Sequence, residues 1–104
     1  MGKKQIQKSL SIFTNRVKKR FSPERLLLFG SFAYGKPNDE SDVDVVVVSK
    51  KFRVIPQKKR LDVLYDLTRD LMPDFHVFGY TPEEFEKLRP LTSIYEAKKH
   101  GIPF

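Results

Sequence analysis

From Val43 to Val48 five of six residues are valine, and the sixth is Asp44. Valine is stiff at χ1 and packs well on a pleated surface. A run with so little polar alternation reads as a central strand covered on both faces. Asp44 is the anomaly in that strand, and Asp42 stands two residues before it. Side chains two apart on a strand point to the same face, so both carboxylates stand side by side. Aspartate is disfavoured in strands, and like charges on one face repel. Burying them unpaired would cost on the order of several kcal/mol per ion. Three arrangements relieve the pair: a hard divalent cation with oxygen ligands, a nearby Arg or Lys, or a solvated turn that spills into the strand.

The rest of the chain supplies the layers. Ile6, Leu10, Phe13 and Val17 make one apolar stripe on a helix over residues 4–20, which Ser22-Pro23 ends. Arg25–Phe29 is a short apolar run stopped by Gly30, and reads as a buried strand. Residues 31–35 have room for one helical turn, and Lys36–Ser41 is a turn by composition. Lys50–Pro56 reads as a basic connection. Leu61, Leu64, Tyr65, Thr68 and Leu71 follow helical spacing from Gln57 to Met72, where Pro73 intervenes. Phe75–Phe78 reads as a third strand. Thr81-Pro82-Glu83-Glu84 has the form of a capping box with proline in the first turn, opening a short helix to about Leu88. A last helix runs from Thr92 to Gly101. The order α-β-β-α-β-α-α implies an α/β (α+β) domain: a small mixed sheet of three strands or more, flanked by helices.

At 104 residues this is one domain spanning 1–104. The absence of cysteine excludes disulfide scaffolds, thiolate zinc sites and cysteine nucleophiles. No run approaches the ~18 apolar residues needed to span a bilayer, so the expectation is a soluble cytoplasmic protein without membrane contact. The net charge of +7 is unevenly spread: residues 1–38 carry +8, residues 39–49 carry −4, residues 50–60 carry +6 and residues 61–104 carry −3. A polyanionic ligand would suit the basic stretches, and a solvated face would explain them equally well. The acidic island would repel such a ligand unless a divalent cation came between them.

Gly30-Ser31 ends the first strand, and ten residues separate Ser31 from Asp42. Glycine lets the backbone turn sharply and a ligand come close, and the following amides can form an anion-binding nest. Gly30, Gly35 and Lys36 have the glycine spacing of a P-loop, but Pro37 stands where a hydroxyl residue must hold Mg²⁺, which excludes that motif.

A strand ending in Gly-Ser, then Asp-x-Asp at the head of a second strand, resembles the DNA polymerase β-type nucleotidyltransferase superfamily. The likeness is greatest to its minimal single-domain members, the MNT proteins that pair with HEPN proteins. It rests on Gly30-Ser31-Phe32-Ala33-Tyr34-Gly35, on Ser41-Asp42-Val43-Asp44 and on Tyr80-Thr81-Pro82-Glu83-Glu84-Phe85, and covers roughly residues 20–102. The resemblance implies that Asp42 and Asp44 hold Mg²⁺ against the triphosphate of ATP, and that Gly30 and Ser31 grip the terminal phosphates. It also implies a third carboxylate that completes the metal site and helps deprotonate the acceptor hydroxyl. The charge map, and not the resemblance, points to Lys36, Lys50 or Lys51 for added positive charge near the phosphates. AMP would pass to a hydroxyl of a HEPN-type partner, the two proteins forming an antitoxin–toxin pair.

The chain departs from this pattern at the third carboxylate, where His76 stands and Asp74 lies two residues earlier. Either Asp74 substitutes, or His76 acts as the base, or the site is crippled. The last case defines the alternative function, a degenerate fold that binds nucleotide or partner without turnover. A small nucleic-acid-binding protein is a third reading, resting on the basic stretches alone.

Overall fold

The structure, a computed structural model, describes residues 3–34, 42–92 and 94–104. The turn expected over Lys36–Ser41, and with it Lys36, lies outside the described residues.

The valine-rich segment forms strand β2 (Val43–Val48), antiparallel to β1 (Arg25–Phe29) and parallel to β3 (Phe75–Tyr80). A fourth strand, β4 (Ile102–Pro103), pairs antiparallel with the other edge of β1 and completes the order β3-β2-β1-β4. Helix α1 (Lys3–Phe21) and α3 (Gln57–Asp66) lie on one face of the sheet. Phe13, Val17 and Leu64 there meet Leu26, Leu28, Val43, Val45, Val47 and Val77. On the other face, the short helices α4 (Pro82–Glu86) and α5 (Tyr95–His100) bring Phe85 and Ala97 against Leu27, Phe29, Val46 and Val48. All five valines of β2 are buried, as a strand covered on both faces requires. One turn of helix, α2 (Ser31–Tyr34), follows Gly30.

Besides the added β4 and two-residue shifts at the ends of β3 and α4, three elements differ from expectation. The basic connection winds into a 3-10 helix, Lys50–Val54, because Ser49 caps it by accepting from the Lys51 N–H, and Phe52 anchors it in the core. Helix α3 stops at Asp66 rather than Met72. Beyond it, tight turns keep Thr68 and Leu71 buried, so an apolar spacing near three to four persists without an α-helix. Arg16 holds those turns by donating to the Leu67 carbonyl at 3.0 Å and to both Asp70 oxygens. The last helix begins at Tyr95 rather than Thr92. The capping box is present as expected: Thr81 Oγ1 accepts from the Glu84 N–H, and the Glu84 carboxylate accepts from the Thr81 N–H. Among the described residues no helix is long and apolar enough to cross a membrane.

Candidate active site

Asp44 enters β2 between buried valines and alternates with Val43 and Val45, so its side chain takes the face of Val46 and Val48. Asp42 precedes the strand by one residue and keeps the same parity. His76 is the register partner of Asp44 on β3. Its Nε2 lies 3.3 Å from Asp42 Oδ2 and its Nδ1 lies 3.5 Å from Asp44 Oδ1, so one imidazole straddles both carboxylates. The two acids therefore share a face and converge on one point.

Gly30 closes the other side. Phe29 pairs with Asp44 across the β1–β2 ladder, which brings the next residue against the carboxylate. Gly30 has φ of +76°, and a Cβ built on it would sit 2.3 Å from Asp44 Oδ2. Only a residue without a side chain accepts both the left-handed backbone and the approach. Ser31 opens α2 directly beside it and is exposed.

Burial pushes the Asp44 carboxyl above the usual carboxylate range. The charge of His76 counteracts that push and the charge of Asp42 adds to it. Among the described residues no Lys or Arg forms a salt bridge with either acid. Asp44 is thus partly desolvated, and the described side-chain partner of both acids is a histidine that is itself 59% exposed. No three His, Cys, Asp or Glu side chains among the described residues are placed as a ready-made metal centre.

Asp74 accepts from the Val43 N–H with its carbonyl at 2.8 Å, extending the β2–β3 ladder. Its carboxylate is exposed and makes no described contact with Asp42, Asp44 or His76. Lys50 and Lys51 are not near the site. They follow the far end of β2, six and seven residues beyond Asp44, a separation of ~20 Å at about 3.3 Å per residue. They stand at the pole where the Ser49 hydroxyl bonds the Phe21 carbonyl, together with the basic last turn of α1.

A groove adjoins the cluster, a feature for which the sequence offers little signal. It has a volume of about 430 Å³ and runs between α3 and β3, with Leu61 and Tyr65 on one wall and His76, Val77 and Phe78 on the other.

Known proteins resemble this chain in sequence and in fold. The pattern of the nucleotidyltransferase domain family matches residues 10–102, a span that holds Gly30, Ser31, Asp42, Asp44 and His76. A Methanocaldococcus jannaschii protein named as a candidate protein adenylyltransferase is 28% identical over 82 residues, covering 76% of each chain. The crystal structure of a candidate nucleotidyltransferase from Sulfolobus solfataricus superposes with a TM-score of 0.63 at 19% identity, covering 100% of this chain and 88% of that one, a likeness of fold. BolA1 from Arabidopsis thaliana superposes with a TM-score of 0.58 at 25% identity, over 73% of this chain and 94% of its own. The likeness of fold extends to proteins of other names, whereas the family match spans the stretch in which the glycine–serine bend and both aspartates lie. This chain belongs to the nucleotidyltransferase domain family.

Proposed function

We propose that the chain is a Mg²⁺-dependent nucleotidyltransferase that moves AMP from ATP to a hydroxyl of a partner protein, a HEPN-type toxin to which it is the antitoxin. The observation that carries this reading is the convergence of Asp42 and Asp44 on one face beside Gly30. The name of the archaeal relative, a candidate protein adenylyltransferase, supports a protein acceptor.

The residues suit a hard divalent cation. Two carboxylate groups, one of them strained by desolvation, provide oxygen ligands, and Mg²⁺ commonly needs only one or two from the protein, with substrate phosphates completing its shell. Bound there, the ion would act as a Lewis acid toward the α-phosphate and offset the charge of the triphosphate. Asp42 and Asp44 orient that end of the nucleotide. Gly30 lets the backbone pass against the Asp44 carboxylate, and the exposed Ser31 that follows it would donate its hydroxyl to a phosphate. The acceptor oxygen attacks the α-phosphorus, the bond between the α-phosphorus and the bridging oxygen breaks, and pyrophosphate leaves. His76, already beside both acids, takes the proton of the acceptor hydroxyl.

The second reading is a degenerate module that binds nucleotide or partner without turnover, and the observation favouring it is His76 at the position of a third carboxylate. One experiment separates the two. The protein is incubated with ATP, Mg²⁺ and the product of the adjacent gene, and the intact mass of that product is measured. Addition of one AMP that disappears in Asp42→Ala and in Asp44→Ala supports the transferase. Mg²⁺-dependent ATP binding with no mass change supports the module.

A further inference from the structure

Strand β3 is an edge strand, and its outer side is unpaired among the described residues. In a parallel ladder alternate residues of a strand bond to the neighbour, and the intervening ones point their N–H and C=O groups away. The Asp74 carbonyl accepts from Val43 N–H and the Tyr80 carbonyl accepts from Ser49 N–H, so the even-numbered residues bond inward. Phe75, Val77 and Gly79 therefore face outward. The Gly79 carbonyl is taken by Arg60 Nη1 at 3.2 Å. The N–H and C=O of Val77 have no described partner, although Val77 is 7% exposed. A half-covered backbone pair with no partner is an incomplete rung of sheet.

The groove lies against this rung. Four consecutive residues, Phe75 to Phe78, line it. Successive side chains of a strand point to opposite faces, so all four can border one groove only along the strand's lateral edge. The opposite wall carries Leu61 and Tyr65, one helical turn apart, 59% and 61% exposed. At one end stands His76, shared with the two aspartates; at the other, Arg60 closes the edge at Gly79.

The geometry points to this groove as the dock for the acceptor segment: an extended stretch of the partner protein, of three or four residues, that adds to the free edge of β3. Its backbone completes the rung at Val77, its apolar side chains cover Leu61 and Tyr65, and its hydroxyl residue reaches the acids past His76. Main-chain bonding supplies affinity and the flanking wall supplies preference. Asp62 is the charged residue on the helical wall, so a neutral or basic segment fits better than an acidic one. The identity of the segment as acceptor rests on the transferase reading; the docking itself does not.

The probe is a blocked Lys-Val-Tyr-Val-Lys peptide, added to the full-length chain with ATP and Mg²⁺. Amide exchange at Val77 and chemical shifts at Leu61 and Tyr65 are followed by NMR, and the peptide is weighed for added AMP. The expected result is protection of the Val77 amide, with affinity falling about tenfold in the Leu61→Lys/Tyr65→Lys double variant, a typical effect of removing apolar contacts. Both positions are exposed, so the variant folds, and unchanged Mg²⁺–ATP affinity confirms an intact nucleotide site. Protection at Val77 without AMP addition supports the dock and counts against the transferase. AMP addition with no protection at Val77, or with affinity unchanged in the double variant, overturns the dock and leaves the transferase standing. No binding at all overturns the dock.

Discussion

Gly30 and Asp44 interlock: the space that any other residue's Cβ would occupy at position 30 is held by a carboxylate oxygen of Asp44. The left-handed backbone of Gly30 adds a penalty of about 1–2 kcal/mol for a residue with a side chain. Gly30→Ala should therefore destabilise the protein by roughly 2–3 kcal/mol in urea unfolding, the two penalties together. Combined with Asp44→Ala, it should cost measurably less, because only the backbone penalty remains. A double-mutant cycle reads that difference as coupling. Strict additivity would mean that the two residues do not meet.

Asp44 is held at a cost to the fold. Its carboxyl titrates above the ordinary range, chiefly because burial disfavours the charge. At low pH it is neutral in both folded and unfolded chains and carries no penalty. As pH rises the unfolded chain ionises first, so stability falls until the folded carboxyl has also ionised. Asp44→Asn should remove that decline and stabilise the metal-free protein slightly, on the order of 0.5 kcal/mol. The same variant should lose Mg²⁺-dependent ATP binding. Thermal unfolding across pH, paired with calorimetric ATP titration, checks both halves, and a variant that loses stability at neutral pH would contradict the first.

The strands that bury side chains on both faces were readable because composition alone marks them, as in Val43–Val48. The common face of Asp42 and Asp44 followed from the two-residue period of a strand. Their meeting with His76 depends on the register of β2 against β3, which no local pattern reveals. Strand β4 was missed because it has two residues, one of them Pro103, and exists by virtue of a free edge on β1. The groove was invisible for the same reason: it requires β3 to be an edge strand, and sheet order is a long-range property. Lys50 and Lys51 follow β2 directly in sequence, yet the length of that strand carries them to the opposite pole.

That pole gives a clean control. With ~20 Å between Asp44 and Lys50, twice the ~10 Å screening length at 0.1 M salt, these lysines contribute little to phosphate binding. The Lys50→Gln/Lys51→Gln variant should bind Mg²⁺–ATP within about twofold of the natural chain. A larger loss in calorimetry would place these side chains at the nucleotide.

Arg60 is the principal polar tie beside the groove. It is buried, and it donates to the carbonyls of Ile55, Phe52 and Gly79 and to Glu84 Oε1 at 2.7 Å. Arg60→Ala takes the donor from the carbonyls of Phe52, Ile55 and Gly79 at once, so it should cost about 3 kcal/mol. Burial pushes the Glu84 carboxyl up, but the Arg60 guanidinium and the Thr81 N–H outweigh it and hold the group below its ordinary 4.5. The stabilisation is present above that ordinary value and is lost as pH falls through the lower, folded one. Glu84→Gln should flatten the acid limb of the stability–pH curve, and an unchanged limb would show that the pair is not coupled to folding.

His76 decides between an enzyme and a relic. If it takes the acceptor proton, His76→Ala should keep Mg²⁺–ATP binding and lose on the order of 10²-fold or more in AMP transfer, the usual weight of a general base. His76→Asp places a third carboxylate beside Asp42 and Asp44, where the imidazole now sits within 3.5 Å of both. Like charges at that range repel, so the metal-free variant should unfold at a lower temperature than the natural chain. Mg²⁺ should restore more stability to it than to the natural chain, since oxygen ligands suit that ion better than imidazole. Transfer by His76→Asp below that of the natural chain keeps His76 as the working base. Transfer well above it would mean that the histidine impairs the site, and that the natural protein acts by binding.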